Sequence, residues 1–87
     1  MEFEYNSDKS LSNKEKHGIS FEEAKLLWKD PFAIEVPIYS YEEERHLVIG
    51  KINNKIWSAI ITYRNSKTRL ISVRRSRKNE EIYYEKN

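Results

Sequence analysis

The chain has 87 residues, no cysteine, and 16 basic against 14 acidic side chains, for a net charge of +2. Disulfides and thiolate-bound zinc are thereby excluded, and residues 1–87 read as a single small domain that buries only about 60–65% of its unfolded surface. No apolar run approaches the roughly 20 residues that span a bilayer, and the opening MEFEYNSDKS lacks the basic and apolar regions of a signal peptide. A cytoplasmic location without membrane contact is therefore expected.

Met1–Tyr5 alternates apolar and polar residues and predicts a short strand. A helix follows over SDKSLSNKEKH, with Ser7 or Asp8 as its N-terminal cap and Gly18 ending it in a left-handed turn. Lys9, Asn13, Lys16 and His17 share one face of that helix, and Leu11 is its expected core anchor. Ser20-Phe-Glu-Glu23 is a capping box, in which the serine hydroxyl and the Glu23 carboxylate each satisfy a free backbone N–H. Phe21, Ala24, Leu27 and Trp28 then form an apolar stripe at helical spacing, which Asp30-Pro31 ends.

An edge strand and then three long sequential strands follow. Phe32–Ile38 contains Pro37, which cannot donate to a ladder, and is expected at a sheet edge. Arg45–Ile52 and Lys55–Arg64 flank Asn53-Asn54, a pair that tolerates the positive φ of a tight hairpin. Arg69–Arg75 follows a loop at Asn65 and Ser66, and Ser76 is the expected cap of a last helix over Arg77–Lys86. The order predicts an α+β fold: an N-terminal strand and two helices packed on one face of an antiparallel three- to four-stranded sheet, then a short C-terminal helix.

Charge is unevenly placed along these elements. Arg64, Lys67, Arg69, Arg74, Arg75, Arg77 and Lys78 fall in a window with no acid, while the rest of the chain carries nine basic and fourteen acidic residues, a net of −5. Such a cluster suits an anionic polymer, RNA above all, because each guanidinium offers a planar fork of donors to phosphate. Strand alternation puts Arg69, Ile71, Val73 and Arg75 on one face and Leu70, Ser72 and Arg74 on the other. The register that decides whether Arg64 joins Arg74 is not set by the sequence. Trp57, Tyr63, Tyr83 and Tyr84 are placed to stack bases or simply to pack.

No HxxxH or HxH pattern, glycine-rich phosphate loop or nucleophile elbow occurs, so neither a metal nor another cofactor is expected. Glu42–Glu44 reads as a solvated loop, with Glu44 paired to Arg45. RNA can be cleaved without metal when its 2′-hydroxyl is held in line with the adjacent phosphate. That chemistry needs positioning, positive charge and a proton-transfer group. His17 is the first candidate for proton transfer, since imidazole changes charge near neutral pH. Lys16 is the second, because an amine among like charges releases its proton more readily.

Taken together, Phe3-Glu-Tyr-Asn6, Lys9, Asn13, Lys16-His-Gly-Ile-Ser-Phe-Glu-Glu-Ala24, Glu44-Arg45, Gly50, Thr62-x-Arg64, Arg69-Leu-Ile-Ser-Val-Arg-Arg75, Glu80 and Tyr84 resemble the BrnT family of toxins from type II toxin–antitoxin operons. The family usually has Trp-Asp in place of Tyr5-Asn6, Ala in place of Val73, Lys in place of Arg75, and a basic residue in place of Glu81. The resemblance implies a RelE-like fold and an endoribonuclease that arrests translation and growth. It also implies a BrnA-type ribbon-helix-helix antitoxin bound as two toxins with two antitoxins, with operator DNA reached only through the antitoxin. Carried over by position, Lys16, His17, Arg64, Arg74 and Tyr84 are the catalytic candidates. Arg69, Arg75, Arg77 and Lys78 extend the RNA track. The competing reading is a non-catalytic module that binds nucleic acid or antitoxin.

Overall fold

A computed structural model describes residues 1–39 and 43–87. Strand β1 (Phe3–Glu4) leads into helix α1 (Ser7–His17), helix α2 (Phe21–Ala24) and a 3₁₀ helix over Lys25–Lys29. Strands β2 (Ile34–Ile38), β3 (Arg45–Ile52), β4 (Lys55–Arg64) and β5 (Lys67–Arg75) follow, and helix α3 (Lys78–Lys86) closes the chain. The described sheet has five strands in the order β1-β5-β4-β3-β2. Its four longer strands form the expected antiparallel meander, and β1 adds a parallel fifth through Phe3–Thr68 and Glu4–Arg69. Pro37 lies on the edge strand β2, where its missing N–H costs no ladder bond. Among the described residues no helix is long and apolar enough to cross a membrane.

Local chemistry accounts for most element ends. Asn53 and Asn54 adopt φ of 49° and 66°, and Asn65 and Ser66 adopt 52° and 66°, so both hairpins turn through two residues with positive φ. Ser20 accepts from the Glu23 N–H at 3.1 Å and Glu23 accepts from the Ser20 N–H at 2.8 Å, the full capping box. Gly18 closes α1 at φ 83°. The cap of α1, however, is Asn6, whose Oδ1 accepts from the Lys9 N–H at 3.0 Å, rather than Ser7 or Asp8. Asparagine thus does here the capping work available to the family's usual aspartate. Likewise Arg77 occupies the N-cap position of α3 in place of Ser76.

The main core lies between the sheet and the α1–α2 layer. Ile19, Phe21, Ala24 and Leu27 pack there against Val48, Trp57, Ala59, Ile61, Leu70 and Val73. The expected stripe holds, with Trp28 partly buried at its margin. Gly50 permits this closeness, because a Cβ there would sit 3.0 Å from Leu27 Cδ2 and 3.3 Å from Ala33 Cβ. Helix α3 covers the opposite face, where Tyr84 joins Ile49 and Ile56. The helices therefore lie on both faces of the sheet.

Two sequence expectations fail where α1 meets β5. Leu11 is 66% exposed, while Ser10 and Asn13 are the buried residues of α1. Beyond Arg69 the outer edge of β5 has no strand partner, and α1 lies along it. There Asn13 acts as a substitute strand: its Nδ2 donates to Val73 O at 2.9 Å and its Oδ1 accepts from Val73 N at 3.2 Å. An apolar residue facing this edge would strand the two backbone groups. The second failure is the alternation of β5. Pairing steps from Ile60–Ser72 to Ile61–Leu70, a bulge that leaves Ile71 unpaired. Leu70 and Val73, three residues apart, consequently enter the same core. Arg69 moves to the face that holds Arg74, and Arg75 remains on the other, beside Trp57.

Candidate functional site

The bulge and the edge-hugging helix together make a groove. Lys9, Ser12, Asn13, Lys16 and His17 from α1 form one wall, and Ile71, Ser72 and Phe21 complete a cavity of about 240 Å³. Bulges frequently re-aim side chains beside active sites, and this one turns Ile71 toward the groove. The Asn13 amide is fully used, since its Nδ2 also donates to Ile19 O at 2.8 Å. It builds the floor and has no donor left for a ligand. Ser10 Oγ accepts from Phe21 N at 2.9 Å and ties α1 to α2 in the same way.

Lys9, Lys16 and His17 stand exposed on this wall. Lys14 is turned away and paired with Glu23 at 2.8 Å. The hydrogen bond from Lys14, together with that from the Ser20 amide, holds the Glu23 carboxyl well down, at about 2. The local field of the groove is therefore positive. Its chemistry comprises two ammonium groups, an imidazole and two hydroxyls, suited to gripping a phosphodiester and moving a proton beside it. Sequence reasoning overlooked Ser12 and Ser72. Ser72 was signalled by a polar residue inside the apolar run Leu-Ile-Ser-Val, but its place depends on the bulge.

The other catalytic candidates lie elsewhere. Arg74 projects to the α3 face, where its Nη1 and Nη2 donate to Glu80 Oε1 and Oε2 at 2.8 and 2.9 Å. The hydrogen bonds from Arg74, reinforced by those from the Arg77 N–H and the Ser58 hydroxyl, hold the Glu80 carboxyl at about 2. The same pairing raises the Arg74 guanidinium. Arg64 shares that sheet face, because Ser58 is the partner of Arg74 and lies six residues earlier on β4. Six residues of strand separate the two arginines by roughly 20 Å. Arg64 instead donates to Glu43 at 3.2 Å. Tyr84 is buried, and its hydroxyl donates to Asp30 Oδ2 at 2.6 Å. Burial and that bond push the phenol up to about 12. Asp30 also accepts from the Phe32 and Lys51 amides, and these three bonds outweigh its burial and lower its carboxyl. Of the five catalytic candidates, the groove brings together only Lys16 and His17.

The residues expected to extend the RNA track differ in availability. Arg69 lies 3.8 Å from Glu4. The Arg75 guanidinium sits over the Trp57 ring at 5.5 Å and is otherwise exposed, as are Arg77 and Lys78. Trp57 is buried and has no free face on which a base could stack. Glu44 is not the neighbour of Arg45, whose Nε lies 3.8 Å from Glu43, while Glu42 falls outside the described residues.

The second histidine forms a separate cluster. His46 Nδ1 lies 3.0 Å from Glu35 Oε2, and the Tyr63 hydroxyl donates to Glu35 Oε1 at 2.8 Å. Burial, aided by Glu35, pushes the Tyr63 phenol up to about 12. Two larger depressions, of about 510 and 340 Å³, adjoin the Asn53–Asn54 turn, and their only carboxylates, Asp30 and Glu23, are already committed to internal bonds. Among the described residues no three His, Asp or Glu side chains converge as a metal site.

Comparison with known proteins agrees with the sequence resemblance. Residues 5–80 match the family model described as the ribonuclease toxin BrnT of type II toxin–antitoxin systems. A search of the curated proteins finds no match. With the match running from Tyr5, just past β1, through the basic strand to the first turn of α3, this chain belongs to the BrnT family of ribonuclease toxins of type II toxin–antitoxin systems.

Proposed function

We propose that this chain is a metal-independent endoribonuclease of RelE-like fold that cuts RNA in the α1–β5 groove and thereby stops translation and growth. A BrnA-type ribbon-helix-helix antitoxin neutralises it in a complex of two toxins and two antitoxins, and operator DNA is reached only through that antitoxin. The observation that carries this reading is the juxtaposition of Lys9, Lys16 and His17 above Ser12 and Ser72, in a family of ribonuclease toxins.

In this mechanism the RNA 2′-oxygen attacks the adjacent phosphorus as the bond to the 5′-oxygen breaks. A base takes the 2′-hydroxyl proton and an acid protonates the leaving oxygen. His17 moves the proton. Lys16 and Lys9 hold the phosphate and stabilise its pentacovalent charge. Arg75, Arg77 and Lys78 extend the backbone track from the far end of β5, three or more residues beyond Ser72, with Arg69 behind it.

The test is cleavage of naked RNA by purified protein in excess EDTA and, separately, cleavage of RNA in a translating extract that keeps its Mg²⁺. Cleavage should persist in EDTA. Loss of general acid–base catalysis is worth about 10²–10⁴ in rate, so His17→Gln should fall in that range while remaining folded. A requirement for Mg²⁺, or a fully active His17→Gln, refutes the mechanism. One observation favours the second reading, a non-catalytic binding module: Arg64, Arg74 and Tyr84 are all engaged within the chain and away from the groove. Intact RNA in both settings, with retained RNA or antitoxin binding, selects that reading.

A further inference from the structure

The Glu80 carboxylate receives more donors than a helix cap requires. Its Oε1 accepts from the Arg77 N–H at 2.8 Å, from Arg74 Nη1 at 2.8 Å and from Ser58 Oγ at 2.9 Å, while Oε2 accepts from Arg74 Nη2 at 2.9 Å. Ser58 is fully buried at the centre of the sheet. Since its proton goes to Glu80, it accepts from Ser76 Oγ at 2.7 Å, which fixes its orientation. A guanidinium fork, a buried hydroxyl and a backbone amide converging on two oxygens make a donor set that also fits phosphate.

What covers this cradle is lightly held. Tyr84 is the one buried residue of α3, while Ile82 and Tyr83 are 42% and 49% exposed. Arg77 offers no acceptor, so the cap at the helix start rests on Glu80 alone. Arg77 and Lys78, both exposed, precede it by three and two residues in the chain. A carboxylate is thus seated where the surrounding field favours any anion.

We propose that Ser58, Arg74 and the Arg77 amide form a phosphodiester subsite that Glu80 occupies in the resting protein, so that RNA gains Arg74 by displacing the Glu80 side chain. The identity of the anion as RNA rests on the ribonuclease reading; the cradle itself does not. The exchange replaces one anion by another on the same fork, and the displaced carboxylate goes to water.

The test uses a 2′-O-methyl RNA oligonucleotide, which cannot be cleaved by its own 2′-oxygen, titrated into the whole protein across a salt series. Glu80→Gln keeps the shape and still accepts from the Arg77 amide, but no longer competes as an anion. It should bind the oligonucleotide about tenfold more tightly, the equivalent of one charge-assisted hydrogen bond. The salt dependence should steepen by about 0.7 in log–log slope, the contribution of one further phosphate on a single strand. Adding Arg74→Ala should remove both gains. Unchanged or weaker binding by folded Glu80→Gln overturns the proposal.

The unmutated protein provides an independent measurement. The Arg74 guanidinium NMR signals should shift saturably with the oligonucleotide and not with an equal concentration of inorganic phosphate. No shift with RNA overturns the subsite, and an equal response to free phosphate overturns its assignment to RNA. Cleavage of ordinary RNA by wild type, followed in parallel, separates the two levels: absent cleavage refutes the ribonuclease reading and leaves the binding result standing.

Discussion

Asn13→Ala tests whether α1 is held to β5 by a side-chain imitation of strand pairing. The substitution removes the partners of three backbone groups: the Val73 carbonyl, the Val73 N–H and the Ile19 carbonyl. A buried backbone group left unpaired costs about 1–3 kcal/mol. Water entering the groove beside the helix recovers part of that, so the expected loss is about 2–4 kcal/mol. A domain of this size has roughly 4–13 kcal/mol in total, and each lost kcal/mol lowers Tm by about 4–8 °C. Thermal unfolding should therefore show a fall of at least about 8 °C, and urea unfolding a lower midpoint with little change in m-value. Leu11→Ala, on the same helix but 66% exposed, should stay within about 0.5 kcal/mol of wild type. If Asn13→Ala matches Leu11→Ala, the amide is not what fixes the helix. Because Lys16 and His17 ride on α1, Asn13→Ala should also lower RNA cleavage below its own Tm without touching substrate.

The remaining predictions concern packing and charge. Gly50→Ala forces a methyl to 3.0 Å from Leu27 Cδ2; overpacking of this kind costs about 1–3 kcal/mol, read by urea unfolding, and a neutral result would show that the 3₁₀ helix shifts freely. Tyr84→Phe removes the donor to Asp30 Oδ2 and should cost about 1–2 kcal/mol, with faster amide exchange in α3 as its local signature. Glu80 is held at about 2 by Arg74 and its other donors, below its unfolded value, so its stabilisation is complete above the unfolded carboxylate range and is lost as pH falls from about 5 toward 2. Glu80→Gln should therefore show a flatter stability profile across that window than wild type. Glu23 is lowered to about 2 as well, but its side chain is 49% exposed, and solvent screening leaves it the smaller part. An unchanged acid limb in Glu80→Gln would show that the Arg74–Glu80 pair carries no net stability.

Much of the local structure was legible in the residues themselves. The Ser20–Glu23 box, the stop at Gly18, the Asn53–Asn54 turn and the edge position of Pro37 each follow from interactions spanning a few residues, which act whatever the rest of the chain does. The apolar stripe of Phe21, Ala24 and Leu27 was equally plain, since helical spacing alone places it on one side. His17 and Lys16 were found together for the same reason: neighbours on one helix stay neighbours in the fold.

What the tertiary structure decided was the company each side chain keeps across the chain. Asn13 meets Val73 sixty residues away, and Tyr84 meets Asp30 across fifty-four. No local preference encodes either meeting. A single bulge at Ile71 reversed the face of Arg69, because alternation carries sign information that one extra residue inverts. The basic window 64–78, uniform as a string of charges, was thereby divided. Arg64 and Arg74 are committed to carboxylates on one face and Arg75 to Trp57 on the other. The pattern of residues determined that the chain carries a basic strand beside a helix bearing Lys16 and His17. Packing determined that these two alone of the catalytic candidates share the groove, because register and helix placement are set by contacts between distant segments.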